Sequence, residues 1–400
     1  MTAQIKLKHS GGNGVIIEAP ASNPASDKTI ALPSTESGVF ATKDSANSLQ
    51  NVTGINGGQL GNRNLIINGA MQVAARGTSA TGKTTSGVYS TDRINLTIGN
   101  AGTWTVSQDS DSPNEFAKST KFQCTTANAS LGTGAFLLLG YRLEGHDVQS
   151  LAKGTSSAKT FTVSFHVKSN KTGTYVLGVN DRDNSRNNSK PYTINVANTW
   201  EKKTITFEAD TSGALDDDAN ESLRLDFWLA AGTDFTSGSA VTGWESTTNA
   251  NRAKNLSVNL ADNTANNWYI TGLQLEVGSV ATDFEHRSFA EELDLCQRYF
   301  TQVRGGIGVN STTAIHTGVL RYKPMRANPS ISKGTGSTYN YGNMINAGFT
   351  STATPTFFKN DGLKGYSCYT LSGFTSLVQG DNLRDEGEGT SATFDLSAEL

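Results

Sequence analysis

In the middle of the chain, apolar side chains occupy every second position of several short segments. The pattern is clear over residues 161–167, residues 175–179 and residues 223–229, with polar side chains at most positions between them. Such alternation predicts β-strands that bury one face. Because no long helical pattern separates these segments, they indicate a sandwich of two sheets. We predict that this sandwich extends over residues 62–286.

The segment over residues 268–300 predicts where the sandwich ends. Residues 269–277 alternate as one more strand, and a helical pattern follows. Ser288 and Glu291 stand three residues apart and make a capping box, which marks a helix N-terminus. Apolar side chains then recur at helical spacing, at Phe289, Leu293, Cys296 and Phe300. We therefore predict a short connector helix over residues 287–300.

The first sixty residues hold three short apolar runs, which glycines and prolines interrupt. The runs are residues 5–7, residues 15–17 and residues 30–32. Such a segment cannot bury a core alone and becomes ordered only by pairing with something else. The β-branched runs favour an arm that adds strands to a partner or to sister chains, and the alternative is a floppy arm. We predict an anchoring arm and linker over residues 1–61.

Four segments resemble parts of one group of proteins. The segment GLQLEVGSVATDFEHRSFAEELDLCQRYF, residues 272–300, is similar to the end of a β-sandwich module common in bacteriophage tail-fibre and other virion appendage proteins. NRNLIINGAMQVAARG, residues 62–77, resembles the start of that module, and RYKPMRANPSIS, residues 321–332, resembles its C-terminal continuation. Residues 5–34 are similar to N-terminal segments of such proteins. The resemblance implies a jelly roll like those of carbohydrate-binding modules, followed by a small β-rich C-terminal domain over residues 301–400.

The resemblance also implies a function. It indicates a phage virion structural protein, most directly a homotrimeric short tail fibre or similar appendage that binds host-surface polysaccharide. Residues 1–60 would anchor it to other virion proteins of the tail or capsid. A trimer would also explain an arm without a core, because three arms can bury each other's apolar runs. We expect the protein to be made in the bacterial host cytoplasm and to function in the virion.

Two other functions stay open. A trimeric capsid decoration protein fits the chain length as well, since 400 residues are few for a fibre and no long repetitive shaft is present. A glycan-cleaving tailspike would want two carboxylates at a suitable separation and usually a long repetitive β-helix. Neither feature stands out in the sequence. We therefore expect no enzyme activity.

One predicted strand carries a candidate ligand surface. On residues 222–229 the face away from the core consists of Ser222, Arg224, Asp226 and Trp228. An indole ring can stack on the C–H groups of a sugar, and the nearby ion pair can fix its hydroxyls. Trp244, in a stretch rich in Gly, Ser and Thr, is a second candidate. The alternative is that Trp228 packs under a loop or against a neighbouring subunit.

Other suggestive motifs have simpler explanations. Residues 77–84, GTSATGKT, match a phosphate-binding loop in form, but no apolar strand precedes them and no helix follows, so we predict a flexible turn. Acidic loops at Asp181 and Asp183 and at residues 216–221 lack an EF-hand pattern and favour solvated carboxylates over bound Ca²⁺. The five histidines are too far apart for a metal motif. We predict no catalytic residue, metal or cofactor.

Charge and cysteine usage narrow the class of protein further. The net charge is −3 and basic residues are scattered, which gives no reason to expect nucleic-acid binding. No apolar run approaches the ~18 residues of a membrane span, so we expect no membrane insertion. Cys124, Cys296 and Cys368 are too few and too widely spaced for a disulfide framework. We expect Cys124 and Cys296 to be buried thiols of a protein folded in a reducing compartment.

Overall fold

The computed structural model describes residues 4–8, 14–18, 42–43, 49–50 and 61–400, apart from residues 307, 313, 335–338, 344–347, 375–376, 378, 380–381 and 386–392. The chain divides into two compact units, Met1–Thr53 and Gly54–Leu400.

The described residues of the first unit form two antiparallel strand pairs. Strand β1 (Gln4–Lys8) pairs with β2 (Gly14–Glu18), and β3 (Thr42–Lys43) pairs with β4 (Leu49–Gln50). The first two predicted apolar runs therefore pair with each other, with Ile5 opposite Ile17. A two-stranded hairpin is at best marginally stable alone, so this pairing does not replace a core. The third run, residues 30–32, lies outside the described residues.

The second unit begins with the sandwich. Its strands are β5 (Ser79–Lys83), β6 (Gly87–Val88), β7 (Asn95–Gly99), β8 (Thr103–Asp109), β9 (Ser119–Thr126), β10 (Phe136–Glu144), β11 (Phe161–Ser169), β12 (Gly173–Asp181), β13 (Arg186–Ile194), β14 (Glu201–Phe207), β15 (Glu221–Ala231), β16 (Glu245–Ser246) and β17 (Asn267–Val277). Two short helices interrupt them, α1 (Gly145–Val148) after β10 and α2 (Thr233–Thr236) after β15.

These strands form two antiparallel sheets. The seven-stranded sheet has the order β16-β13-β12-β15-β10-β7-β6, and the six-stranded sheet has the order β14-β11-β17-β9-β8-β5. The chain crosses repeatedly from one sheet to the other, for example from β10 to β11 and back to β12, as in a jelly roll. The predicted all-β jelly-roll class is confirmed.

The inner faces of the two sheets share one aromatic and aliphatic core. Phe165 on β11 meets Phe227 on β15 edge to face, with 5.0 Å between ring centroids. Trp268 on β17 contacts the rings of Phe122 and Phe227. Alternate residues of β15, which the sequence pattern placed inward, are all buried here: Leu223, Leu225, Phe227 and Leu229. Because successive side chains of a strand point to opposite faces, the residues of β15 between these four lie on the outer face of the sandwich.

The connector helix α3 spans Phe289–Gln297. The Oγ atom of its N-cap, Ser288, accepts the backbone N–H of Glu291 at 3.2 Å, as the capping box predicts. The helix is shorter than predicted, because Phe300 begins a strand instead of ending the helix. Cys296 on the helix and Cys124 on β9 are both buried free cysteines.

A smaller β-rich region follows the helix. Its strands are β18 (Phe300–Val303), β19 (Gly308–Asn310), β20 (His316–Arg321), β21 (Ser330–Lys333), β22 (Tyr339–Asn343), β23 (Gly348–Ser351), β24 (Thr356–Asp361), β25 (Tyr366–Leu371), β26 (Asn382–Asp385) and β27 (Phe394–Ser397). They form a three-stranded sheet, β18-β27-β21, and a seven-stranded sheet, β23-β22-β26-β19-β20-β25-β24. This C-terminal region has a core separate from that of the sandwich, and the rings of Tyr369 and Phe394 meet in it.

Ion pairs join the sandwich to this C-terminal region. The guanidinium of Arg76 bridges Asp92 at 2.5 Å and Glu399 at 2.9 Å. The guanidinium of Arg93 pairs with Glu399 at 2.9 Å and lies 3.4 Å from the ring centroid of Tyr299. Burial raises the pKa of Asp92 to about 6, although Arg76 lowers it. These contacts between distant parts of the sequence fix the two regions to each other. No helix in the described ranges is long and apolar enough to cross a membrane.

Candidate functional site

The predicted ligand strand, β15, lies in the middle of the seven-stranded sheet, between β10 and β12. Strand pairing places Gly140 of β10 and Gly178 of β12 on either side of Asp226. The two glycines leave the Asp226 carboxylate without a neighbouring side chain in its own row of the sheet. That carboxylate is nevertheless fully buried, so other groups must cover it.

Guanidinium groups provide this cover. The Asp226 carboxylate contacts Nε of Arg224 at 2.8 Å and Nη2 of Arg252 at 2.9 Å. Nδ2 of Asn180, on β12, donates to it at 2.7 Å. A buried carboxylate with several donors of this kind holds each donor in a fixed position.

A second carboxylate, that of Glu221, lies at the start of the same strand. It is 3.5 Å from Arg142, 3.6 Å from Arg182 and 3.7 Å from Arg224. These are longer than the 2.7–2.9 Å typical of charge-assisted hydrogen bonds, so one carboxylate is shared loosely among three cations. We name the set Arg142, Arg182, Glu221, Arg224, Asp226 and Arg252 the arginine face.

The arginines of this face repel one another. Arg142 stands directly opposite Arg224 on the neighbouring strand, a like-charge pairing that destabilises a sheet. Burial lowers the pKa of Arg252, and the nearby charges of Arg224 and Arg182 lower it further, against the opposing effect of Asp226. Burial also lowers the pKa of Arg224, but Asp226 and Glu221 outweigh it and the net shift is upward. The positive charge of this face is therefore only partly compensated.

Trp228 has a different environment from the one expected of a sugar platform. A loop over residues 232–256, which we call the covering loop, crosses the sheet here and leaves the Trp228 side chain 1% exposed. Phe235 of the loop lies 5.2 Å from the indole, centroid to centroid, and the Arg252 guanidinium lies 5.1 Å from it. A sugar cannot stack on this ring while the loop is in place, so the structure corrects the expected exposure. Packing under a loop was the alternative interpretation.

The part of the sheet under the covering loop contains buried polar atoms that have no hydrogen-bond partner among the described residues. The indole N–H of Trp228 has no hydrogen-bond partner among the described residues, and neither does the side-chain amide of Asn187 on β13. Both side chains are at least nine-tenths buried. The indole nitrogen lies beside Gly178, which is the cross-strand neighbour of Asp226. Buried polar groups without partners are costly, and the covering loop keeps a ligand from reaching these two while it is in place.

Trp244 does not join this group. Its indole N–H donates to the backbone carbonyl of Glu208 at 2.8 Å, and its ring packs near Phe161 and 4.9 Å from Nζ of Lys153. It therefore belongs to the edge of the main core. Of the four predicted residues, the structure brings Arg224, Asp226 and Trp228 together and places Trp244 elsewhere.

The sequence pattern missed most of the site. Glu221, which we expected to be a solvated loop carboxylate, begins β15 and is 18% exposed among three arginines. Arg142, Arg182 and Arg252 come from β10, from the turn after β12 and from the covering loop, and Asn180 comes from β12. Only the strand pairing and the path of the loop bring them together. The one available signal was Asn180, a polar residue directly after the apolar run of residues 175–179.

Lys153 forms the centre of a second buried ion cluster. Its ammonium group pairs with Asp181 and is 3.1 Å from the Asp210 carboxylate. It also donates to the carbonyls of Ser212 and Gly213 at 2.9 and 3.0 Å. Arg186 binds Asp210 through two nitrogens, at 2.8 and 3.1 Å. We call Lys153, Asp181, Arg186 and Asp210 the lysine cage.

The cage corrects one of the predicted acidic loops. Asp181 is a buried ion-pair partner and not a solvated carboxylate. Asp217 in the other loop is exposed and pairs with His146 at 2.8 Å. The described residues contain no group of three metal-ligating side chains.

The segment that matches a phosphate-binding loop is part of an edge strand. Residues 79–83 form β5, which pairs with β8 at Ser79 opposite Ser107 and again at Lys83 opposite Trp104. This is more regular than the flexible turn that we predicted. Strand β6 follows it, so no helix N-terminus is available to hold a phosphate.

The chain is similar over about half of its length to several solved structures at low identity. The enzymatically active domain of tailspike protein 4 from bacteriophage CBA120 is 13% identical with a TM-score of 0.26, and the match covers 54% of this chain and 21% of that one. The family 11 carbohydrate-binding module from Clostridium thermocellum, in complex with a β-1,3-1,4-mixed-linked tetrasaccharide, is 13% identical with a TM-score of 0.27 and covers 51% and 98%. The xylan-binding CBM22-1 domain from Paenibacillus barcinonensis is 13% identical with a TM-score of 0.24 and covers 52% and 99%.

This chain thus spans about a fifth of the length of the tailspike domain. No protein-family model matches the chain, and no curated protein does. Likenesses at these TM-scores do not identify a ligand, and function has to be argued from the site itself.

Proposed function

We propose that the protein is a non-enzymatic virion component whose sandwich binds carbohydrate through the arginine face. One observation carries this proposal. A rigid sheet holds two guanidinium groups in fixed positions around the buried Asp226 carboxylate, and beside them the partly exposed guanidinium groups of Arg142 and Arg182 are held only loosely by Glu221. Sugar hydroxyls are suitable acceptors and donors for such groups.

In this proposal the residues have different roles. Arg142 and Arg182 are the more accessible cations and contact the ligand, because their side chains are 26% and 51% exposed. Asp226 does not contact sugar; it orients Arg224 and Arg252. A sheet scaffold keeps these positions rigid, which lowers the entropic cost of binding.

The wider setting follows from the sequence resemblance. We propose a homotrimeric short tail fibre or similar appendage that residues 1–60 anchor to other virion proteins. Individual sugar contacts are weak, so adhesion to host polysaccharide would depend on several copies acting together. The trimer is tested by measuring the mass of the purified full-length protein, and a monomer at micromolar concentration would contradict it.

Carbohydrate binding is tested with an array of bacterial surface polysaccharides. We expect the full-length protein to bind at least one polymer and to leave its chain length unchanged. Shortened chains after incubation would indicate a glycan-cleaving tailspike instead. If no polysaccharide on the array is bound, the proposed function is wrong.

Attachment to the particle is tested by deleting residues 1–60. We expect virions made with the truncated protein to lack it, while the truncated protein still accumulates in the cell. Normal incorporation would contradict the anchoring role. Cryo-electron microscopy of the wild-type virion distinguishes a tail appendage from a capsid decoration protein.

A further inference from the structure

We infer that the arginine face selects an acidic polysaccharide, one whose repeating unit carries a carboxylate, sulfate or phosphate. This inference rests on the proposed carbohydrate-binding function and adds the class of ligand.

The charge count of the face is the first argument. Four guanidinium groups share two carboxylates, so four positive charges against two negative charges leave two positive charges uncompensated. Buried or half-buried charges of one sign are expensive to assemble unless a partner neutralises them. An anionic group of a ligand would supply that partner.

The distances of the face are the second argument. Asp226 engages its two arginines at 2.8 and 2.9 Å, whereas Glu221 lies 3.5 to 3.7 Å from its three. Each guanidinium has five N–H donors. The loose contact with Glu221 leaves Nε of Arg142 without a hydrogen-bond partner among the described residues. The planar fork of arginine matches the oxygens of carboxylate, sulfate and phosphate groups. The Glu221 end of the face, where Arg142 and Arg182 are accessible, is therefore where the anion binds.

The size of the charge excess argues for a sugar acid over a nucleic acid. Two uncompensated charges match one or two anionic groups. A nucleic-acid backbone requires a longer basic stripe that neutralises many successive phosphates.

The test compares matched polymers. The full-length protein is applied to an array on which each acidic bacterial polysaccharide is printed beside its carboxyl-reduced, desulfated or dephosphorylated form. We expect binding to at least one acidic polymer to be about tenfold or more tighter than binding to its neutral form, and to weaken as salt is added. The three treatments distinguish which anionic group is recognised.

Variants test whether the arginine face is responsible. Replacing Arg142→Gln together with Arg182→Gln should weaken binding to the acidic polymer by roughly ten- to a hundredfold, because charge-assisted hydrogen bonds are lost. Lys202→Gln is the control: it removes an exposed positive charge from β14 of the other sheet and should leave binding unchanged.

The outcomes distinguish a failure of the inference from a failure of the proposed function on which it rests. Equal binding to acidic and neutral forms, with the arginine variants unaffected, overturns the inference and leaves carbohydrate binding standing. Tighter binding to an acidic peptide or to single-stranded DNA than to any polysaccharide also overturns it. Failure to bind any polysaccharide contradicts the proposed function and the inference together.

Discussion

The sandwich contains two clusters of charged side chains that differ in the balance of positive and negative charges. In the lysine cage, Lys153 and Arg186 face Asp181 and Asp210, so two positive charges meet two negative charges. In the arginine face, four positive charges meet two. Both clusters contain a fully buried carboxylate, so burial alone does not distinguish them.

The difference indicates different roles. A balanced and buried cluster satisfies its own charges and connects the loops that supply them, which is a structural task. An unbalanced cluster with partly accessible cations has an unfavourable electrostatic free energy that its own carboxylates do not offset. Such a cluster is typical of a binding site. The comparison predicts that changes in the cage alter stability and that changes at the accessible rim of the arginine face alter binding.

The largest effect is expected for Lys153→Met. The change leaves two buried carboxylates without their central cation and should lower the free energy of unfolding by about 3–5 kcal/mol. Urea denaturation measures it. Lys171→Met is the matched control, because Lys171 pairs with Asp262 at a more exposed position and should cost no more than about 1 kcal/mol. Equal stability of the two variants would show that the cage is not a structural element.

Trp228→Ala should also destabilise the fold strongly, by about 3–5 kcal/mol, because a fully buried indole under the covering loop is removed. The melting temperature should fall clearly below that of the wild type. Trp200→Ala serves as control, since Trp200 is only partly buried. A melting temperature close to the wild-type value would place Trp228 at the surface and restore it as a sugar platform.

Acid should weaken the cage. Burial raises the pKa of Asp210, but hydrogen bonds from Arg186, the Ser212 N–H and Lys153 lower it more, so the folded pKa lies below 3.8. A carboxyl group with a lowered pKa contributes stability above its unfolded pKa and loses it as the pH falls through the folded value.

The comparison variant is Asp210→Asn. We expect the wild type to be more stable than this variant at pH 7 and the difference to shrink below pH 3.8, as followed by denaturation at each pH. A difference that grows on acidification would contradict the sign of the shift.

The smallest effect on stability is expected for Arg182→Gln. Arg182 is half exposed and 3.6 Å from Glu221, so the change should cost no more than about 1 kcal/mol. Its melting temperature should match the wild type while its polysaccharide binding is weaker. A loss of stability comparable to that of Lys153→Met would remove the distinction between the two clusters.

The alternation identified β11, β12, β15 and β17, but not β10 or the residues that strand pairing brings together. Alternation of side chains placed Leu225 inward and Asp226 outward, because a strand has only two faces. Which residues lie beside Asp226 depends on strand register, and the glycines at 140 and 178 become meaningful only once that pairing is known.

The same limit explains why the sequence left open whether Trp228 contacts a sugar or packs under a loop. Its position on the outer face followed from the pattern, but its burial depends on the path of the covering loop, and no period in the sequence specifies that path. The connector helix shows a related limit. The capping box located its start, whereas its end depends on Phe300 pairing with Ser397, nearly a hundred residues away.

Arg252 belongs to the covering loop, so its position is coupled to that of the rest of the loop. Arg252 is adjacent to Ala253, whose N–H donates to the carbonyl of Phe235, and Gly238 donates to the carbonyl of Ala250. These two hydrogen bonds join two stretches of the loop beside Arg252, whose guanidinium contacts Asp226. A ligand that fixes the arginine face would restrain both stretches through the contact between Arg252 and Asp226. Hydrogen–deuterium exchange should therefore slow across the loop on binding and report occupancy without any label on the glycan.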